Sequence, residues 1–261
     1  MRANGSSFYK LEVELQGTQL QSRRILNTIK AVFFDVGATL LTPAEDEGKT
    51  FSQIARELNV DVNPSDVMSK VPIMYTLYEQ LYEQDDSFWS DDVRSKAIWI
   101  EMYEYMASLL DVPRGQRRKL AEAVHNFYFS PGAWKTYDDV IPTLDSLKAQ
   151  GYRMGLISNW DSSLAPVIEG LGMTHYFETI ISSAVVRMHK PMPEIFQLAL
   201  NRLGISANEA AHVGDHVYAD AEGAAGAGIM PLLLDRRDRH TSFEGLRIAS
   251  LSEIEELIKN Q

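Results

Sequence analysis

After residue 134 the chain alternates between short apolar runs and stretches of helical spacing, and this alternation restricts the fold more than any other feature. The pattern predicts a helix over 140–150, a strand over 153–157, a helix near 164–171 and a strand over 179–182. A helix over 194–203, a strand over 211–213, a small-residue helix over 219–227 and a strand over 229–234 follow. Strands joined through helices in this way pair in parallel by right-handed crossovers, and the helices cover both faces of the sheet.

The same kind of strand occurs once much earlier. Ala31, Val32, Phe33 and Phe34 form an unbroken apolar run closing on Asp35, the signature of a central strand buried on both faces. Between it and the later alternation, residues 44–134 change character. Apolar residues recur three and four apart in Ile73, Met74, Leu77, Tyr78 and Leu81 and again from Ile98 to Leu109, so this stretch reads as an all-helical insert. Pro64, Pro72, Pro113 and Pro131 are expected to break it into several helices, because proline cannot continue a helix. The division is then a 1–29 N-terminal extension, an α/β core formed by 30–43 and 135–261, and a helical cap over 44–134. The chain shows no internal repeat.

Composition narrows the function. A formal charge of −11 repels nucleic acid phosphates and anionic membrane surfaces, so neither is an expected partner, while a local cationic pocket can still take a small anion. The absence of cysteine removes thiolate nucleophiles and cysteine-held metals. No apolar run is long enough to span a bilayer and the N-terminus lacks a secretory core, so a cytoplasmic location is expected.

The polar residues of the core fall after its strands, where open parallel sheets bind ligands. Asp35 follows the first, Ser158 and Asn159 the second, Gly214 and Asp215 a later one, and Lys190 sits in a loop before the helix that opens at Pro193. Four ordered segments carry them: 34–40 (FDVGATL), 157–159 (ISN), 190–194 (KPMPE) and 214–220 (GDHVYAD). In order and spacing they resemble the four motifs of the haloacid dehalogenase-like (HAD) hydrolase superfamily, in its helical-cap type. The wording around Ser158, Asn159, Trp160 and Asp161 is most similar to the HDHD-like branch. The resemblance implies a three-layer Rossmann-like parallel sheet core with an inserted all-helical cap domain.

It also implies an activity. Asp35 would attack a phosphoryl group to give an aspartyl-phosphate that water then hydrolyses. Such transfer needs charge neutralisation and positioning, so the resemblance implies Mg²⁺ held by Asp35, Asp215 and the main-chain carbonyl of Gly37. Ser158, Asn159 and Lys190 would contact the anionic group, with Thr39 and Asp220 in support. The expected function is a Mg²⁺-dependent phosphatase of a small phosphorylated metabolite. One position departs from the pattern: phosphatases of this superfamily usually place a general-acid aspartate two residues after the nucleophile, and this chain has Gly37. A general acid contributes roughly 10²–10⁴ in rate. Two alternatives follow: a 2-haloacid dehalogenase-type hydrolase, whose halide leaves unprotonated, and a catalytically weak phospho-ligand-binding protein. The metal signature Gly214-Asp215 with Asp220 favours the phosphatase.

Other features read more simply. Asp161 is expected to cap a helix, and His216 is left outside the catalytic set. Gly223, Gly226 and Gly228 are in the wrong order for a dinucleotide loop, and the aromatic residues of the insert are first of all its core.

Overall fold

The structure, a computed structural model, describes residues 28–259; the expected 1–29 extension therefore lies almost entirely outside the described residues. Strand β1 (Ala31–Phe34) is wholly buried. Its side chains alternate between two apolar clusters, Val32 and Phe34 on one side and Ala31 and Phe33 on the other, which is why the run has no polar position. Beyond it, β2 (Leu41–Pro43) pairs antiparallel with β3 (Trp134–Thr136), so a short ribbon marks where the helical segment leaves and returns.

Four helices fill the interval: α1 (Glu47–Glu57), α2 (Pro64–Gln84), α3 (Asp92–Leu109) and α4 (Arg114–Tyr128). Short polar side chains start the first three. Asp46, Asn63 and Asp91 each accept hydrogen bonds from free main-chain N–H groups at a helix N-terminus. The helices pack around their own apolar cluster, which includes Phe51, Met74, Met102, Met106 and Leu120. One expectation is corrected. Pro72 does not end a helix, since α2 runs through it for 21 residues. The missing N–H and ring clash cost about 3 kcal/mol. The apolar side of α2, with Val67 and Met74 buried and Val71, Leu77 and Leu81 packed against the cluster, opposes that cost. Pro64 opens α2 at a position where its missing donor would be unpaired anyway.

The α/β alternation then resumes through α5 (Val140–Ala149), β4 (Arg153–Ser158), α6 (Leu164–Gly170), β5 (Thr179–Ser182), α7 (Ser183–Val186) and α8 (Pro193–Leu203). It closes with β6 (Ala210–Gly214), α9 (Gly223–Gly226), β7 (Met230–Leu234), β8 (Arg247–Ile248) and α10 (Ile254–Lys259). The main sheet has the order β5-β4-β1-β6-β7-β8, all parallel, with β1 between β4 and β6. Residues of α5, α6 and α10 join Val32 and Phe34 in one cluster, and those of α8 and α9 join Phe33 in the other, giving the expected three layers. No described helix is long and apolar enough to cross a membrane.

Candidate active site

Because the order of the chain reverses direction across β1, the carboxyl ends of β4, β1 and β6 open on one crevice. Asp35 follows β1, and its main-chain N–H continues the ladder to the Val213 carbonyl at 2.8 Å, which fixes where its side chain emerges. It is 7% exposed. Its Oδ1 accepts from the Ser158 hydroxyl at 2.9 Å and from Lys190 Nζ at 2.6 Å. Among the described residues, Oδ2 accepts no hydrogen bond.

Lys190 is buried with its ammonium shared between Asp35 and Asp220, the latter at 2.5 Å. Asp220 reaches this place because Gly214 leaves room: a Cβ there would lie 2.1 Å from the Asp220 Cγ. Below it, His212 Nε2 is 2.8 Å from Asp220 Oδ1 and the His216 N–H donates to Oδ2 at 3.0 Å. Asp215 comes next on the rim, with Thr39 Oγ1 donating to it at 3.4 Å. Carboxylate oxygens of Asp35, Asp215 and Asp220 all lie within 4.8 Å of one another.

The electrostatics follow from one buried cation among three carboxylates. Burial would lower Lys190, but Asp220 and Asp35 overcome it and raise the ammonium above its usual range. Burial would raise Asp220, yet Lys190 and the His212 hydrogen bond hold it well below the usual carboxylate range. Asp35 is raised, by burial first and against the pull of Lys190. Asp215 is pushed up to about 8 by burial and then by the charges of Asp35 and Asp220. Burial also depresses His212, which leaves it neutral beside Asp220. Three ionised carboxylates would carry more negative charge than Lys190 offsets, which is why Asp35 and Asp215 resist ionisation, and a hard divalent cation suits that donor set.

Asp35, Ser158, Lys190, Asp215, Asp220 and Thr39 therefore lie together in one cluster. Asn159 lies just after β4, and its side chain bonds the main chain of Lys190. Its Oδ1 accepts from the Lys190 N–H at 2.7 Å and its Nδ2 donates to the Lys190 carbonyl at 2.9 Å, so it clamps the lysine loop. Gly37 lies in the loop after β1, and a Cβ there would sit 3.5 Å from the Trp160 ring, an ordinary contact. Asp161 caps the turn that follows it, accepting from the Ser163 N–H at 2.9 Å. His212 was not picked out from the sequence; a histidine inside an otherwise apolar strand is the signal that marks it.

Comparison with known proteins identifies the family and the fold. The model of the haloacid dehalogenase-like hydrolases matches residues 29–228. Haloacid dehalogenase-like hydrolase domain-containing protein 3 of Danio rerio is 29% identical over 218 residues, covering 80% of this chain and 86% of that protein. A glyceraldehyde 3-phosphate phosphatase of Methanopyrus kandleri is 29% identical over 227 residues, covering 83% and 88%. Among solved structures, the HAD-hydrolase YfnB of Bacillus subtilis, bound to magnesium, superposes with a TM-score of 0.72 at 18% identity, covering 88% of this chain and 98% of that one.

Proposed function

Since the chain belongs to the haloacid dehalogenase-like hydrolase family, we propose that it is a Mg²⁺-dependent phosphatase of a small phosphorylated metabolite, acting through an aspartyl-phosphate on Asp35. The observation that carries this reading is the Asp35 carboxylate, with Oδ1 fixed by Ser158 and Lys190 and with a carboxylate oxygen of Asp215 and one of Asp220 within 4.8 Å of one of its own. Similarity to phosphatases over most of the chain supports the same substrate class.

Asp35, Asp215 and the Gly37 carbonyl would hold the cation, which when bound supplies charge neutralisation at the phosphoryl oxygens. The remaining chemistry falls to the chain's own residues. Asp35 Oδ2 forms a bond to phosphorus while the bond from phosphorus to the leaving oxygen breaks. Lys190 offsets the repulsion between the carboxylate and the incoming anion, and the Ser158 hydroxyl, whose one proton goes to Asp35 Oδ1 without substrate, turns to donate to a phosphoryl oxygen. Water then cleaves the acyl phosphate and releases inorganic phosphate and free Asp35. With glycine at position 37 no side chain protonates the leaving oxygen there, so good leaving groups are favoured. Residues 44–134 serve as the cap that excludes water during these steps.

A screen of phosphate esters and an acyl phosphate with Mg²⁺ tests the reading. Turnover that disappears in Asp35→Asn is expected. Equal phosphate release from the native chain and Asp35→Asn would contradict it, as would halide release from 2-haloacids without metal.

A further inference from the structure

Lys190 is held at its main chain by Asn159 and at its ammonium by Asp35 and Asp220, and the residue before it is held from the helical insert. The preceding residue, His189, is buried and has both ring nitrogens engaged. Nδ1 lies 2.6 Å from the Ser90 hydroxyl and Nε2 lies 3.0 Å from Asp86 Oδ1. An ionised carboxylate only accepts, so Nε2 carries the proton toward Asp86, and a ring protonated there alone accepts from Ser90 through Nδ1. Asp86 and Ser90 bound the single 3₁₀ turn between α2 and α3, near the middle of the insert and far along the chain from the ribbon of β2 and β3 where the insert joins the core.

The same turn grips the neighbouring loops. Ser183 Oγ donates to the Trp89 carbonyl at 2.7 Å, and the Ser162 N–H donates to Asp92 Oδ1 at 2.8 Å. Phe88, between these contacts, is fully buried. Ser162 follows Asn159 by three residues, and Asn159 clamps the Lys190 main chain. Residues 86–92 therefore touch both loops that define where the lysine sits.

We propose that His189 is a positioning residue: through Asp86 and Ser90 it transmits docking of the helical insert to Lys190, so that the ammonium is aligned on Asp35 only when the insert is docked. Lys190 Nζ must stay within hydrogen-bond distance of a carboxylate at the end of a flexible stem, and a main-chain displacement of about 1 Å is enough to cost up to 10²-fold in rate. The kinetic part of this inference rests on the phosphatase reading; the docking part does not.

The experiment compares Asp86→Ala, Ser90→Ala, Asp86→Asn and His189→Ala with the native full-length chain. Amide hydrogen exchange of the peptides covering 84–92 and 183–192 is measured beside kcat and KM for p-nitrophenyl phosphate with Mg²⁺. Asp86→Ala is expected to speed exchange in 183–192 as well as in 84–92, and to lower kcat roughly ten- to a hundredfold with KM nearly unchanged. Asp86→Asn, whose amide oxygen still accepts from Nε2–H, restores both. Unchanged exchange in 183–192 for Asp86→Ala and Ser90→Ala overturns the proposal, and so does kcat unaltered despite faster exchange. Should His189→Ala fail to fold, the Asp86 and Ser90 variants carry the test. If even the native chain hydrolyses no phosphate ester, the phosphatase reading fails while the exchange comparison still decides the docking.

Discussion

At Gly37 a side chain can be added without crowding, because a Cβ would only touch the Trp160 ring at 3.5 Å. Gly37→Asp is therefore expected to fold and to raise kcat on alkyl phosphates by up to roughly 10²-fold, with little change on an acyl phosphate whose leaving group needs no proton. Side-by-side kinetics on the two substrate types check this. Gly214 is the opposite case, since any Cβ there collides with the Asp220 carboxyl group. Gly214→Ala should displace Asp220 from Lys190, cost about 3–5 kcal/mol as a broken buried ion pair, and abolish turnover; thermal unfolding and phosphate release measure both. Asp35, Ser158 and Asp215 were legible because each ends or directly follows an apolar strand, and Lys190 and Asp220 because they stand at fixed places in the ordered segments that accompany those strands. The roles of Asn159 and His212 were not, because both act on partners 8 or more positions away that only the folded chain brings within reach.

Among elements, β1 and β4 to β7 were legible, since each carries a mostly apolar, largely buried run whose polar residues, His212 apart, stand at strand ends, as Arg153, Ser158, Thr179 and Ser182 do. The ribbon of β2 and β3 and the edge strand β8 escaped notice because three or two residues carry no usable periodicity. Pro72 misled in the other direction, as tertiary packing of α2 outweighs a local breaker. At the end of β7, Asp235 joins β8 to the sheet: it accepts from the Arg239 and His240 N–H groups at 2.9 and 2.8 Å and from Arg247 at 2.9 Å. Burial alone would raise it, but these donors lower it from 3.8 to about 2. A depressed carboxylate stabilises the fold above its unfolded value and loses that contribution as pH falls toward the folded one. Asp235→Asn should thus melt below the native chain at pH 7, with the gap narrowing between about pH 4 and 2.

For the whole molecule, the excess of carboxylates at the site sets a stability term as well as a chemical one. Asp215 is raised from 3.8 to about 8, so the folded state resists its ionisation and the metal-free protein loses stability as pH rises through that window. Two outcomes follow for thermal unfolding at pH 8. Without metal, Asp215→Asn should melt above the native chain, because the amide removes the crowded charge. With Mg²⁺ the native chain should gain stability and Asp215→Asn should not, since only the native donor set binds the cation. A reversed order without metal would mean that the charge of Asp215 is not crowded, and an equal gain with Mg²⁺ in Asp215→Asn would mean that Asp215 does not take part in holding a metal.

The central claim is that Asp35 itself becomes phosphorylated. Mass spectrometry of the peptide containing residue 35, after rapid acid quench of the enzyme turning over an acyl phosphate with Mg²⁺, tests it most directly. The account predicts one phosphoryl group on that peptide in the native chain and none in Asp35→Asn. Phosphate release at a native rate with the label on another residue, or undiminished release in Asp35→Asn, would contradict it.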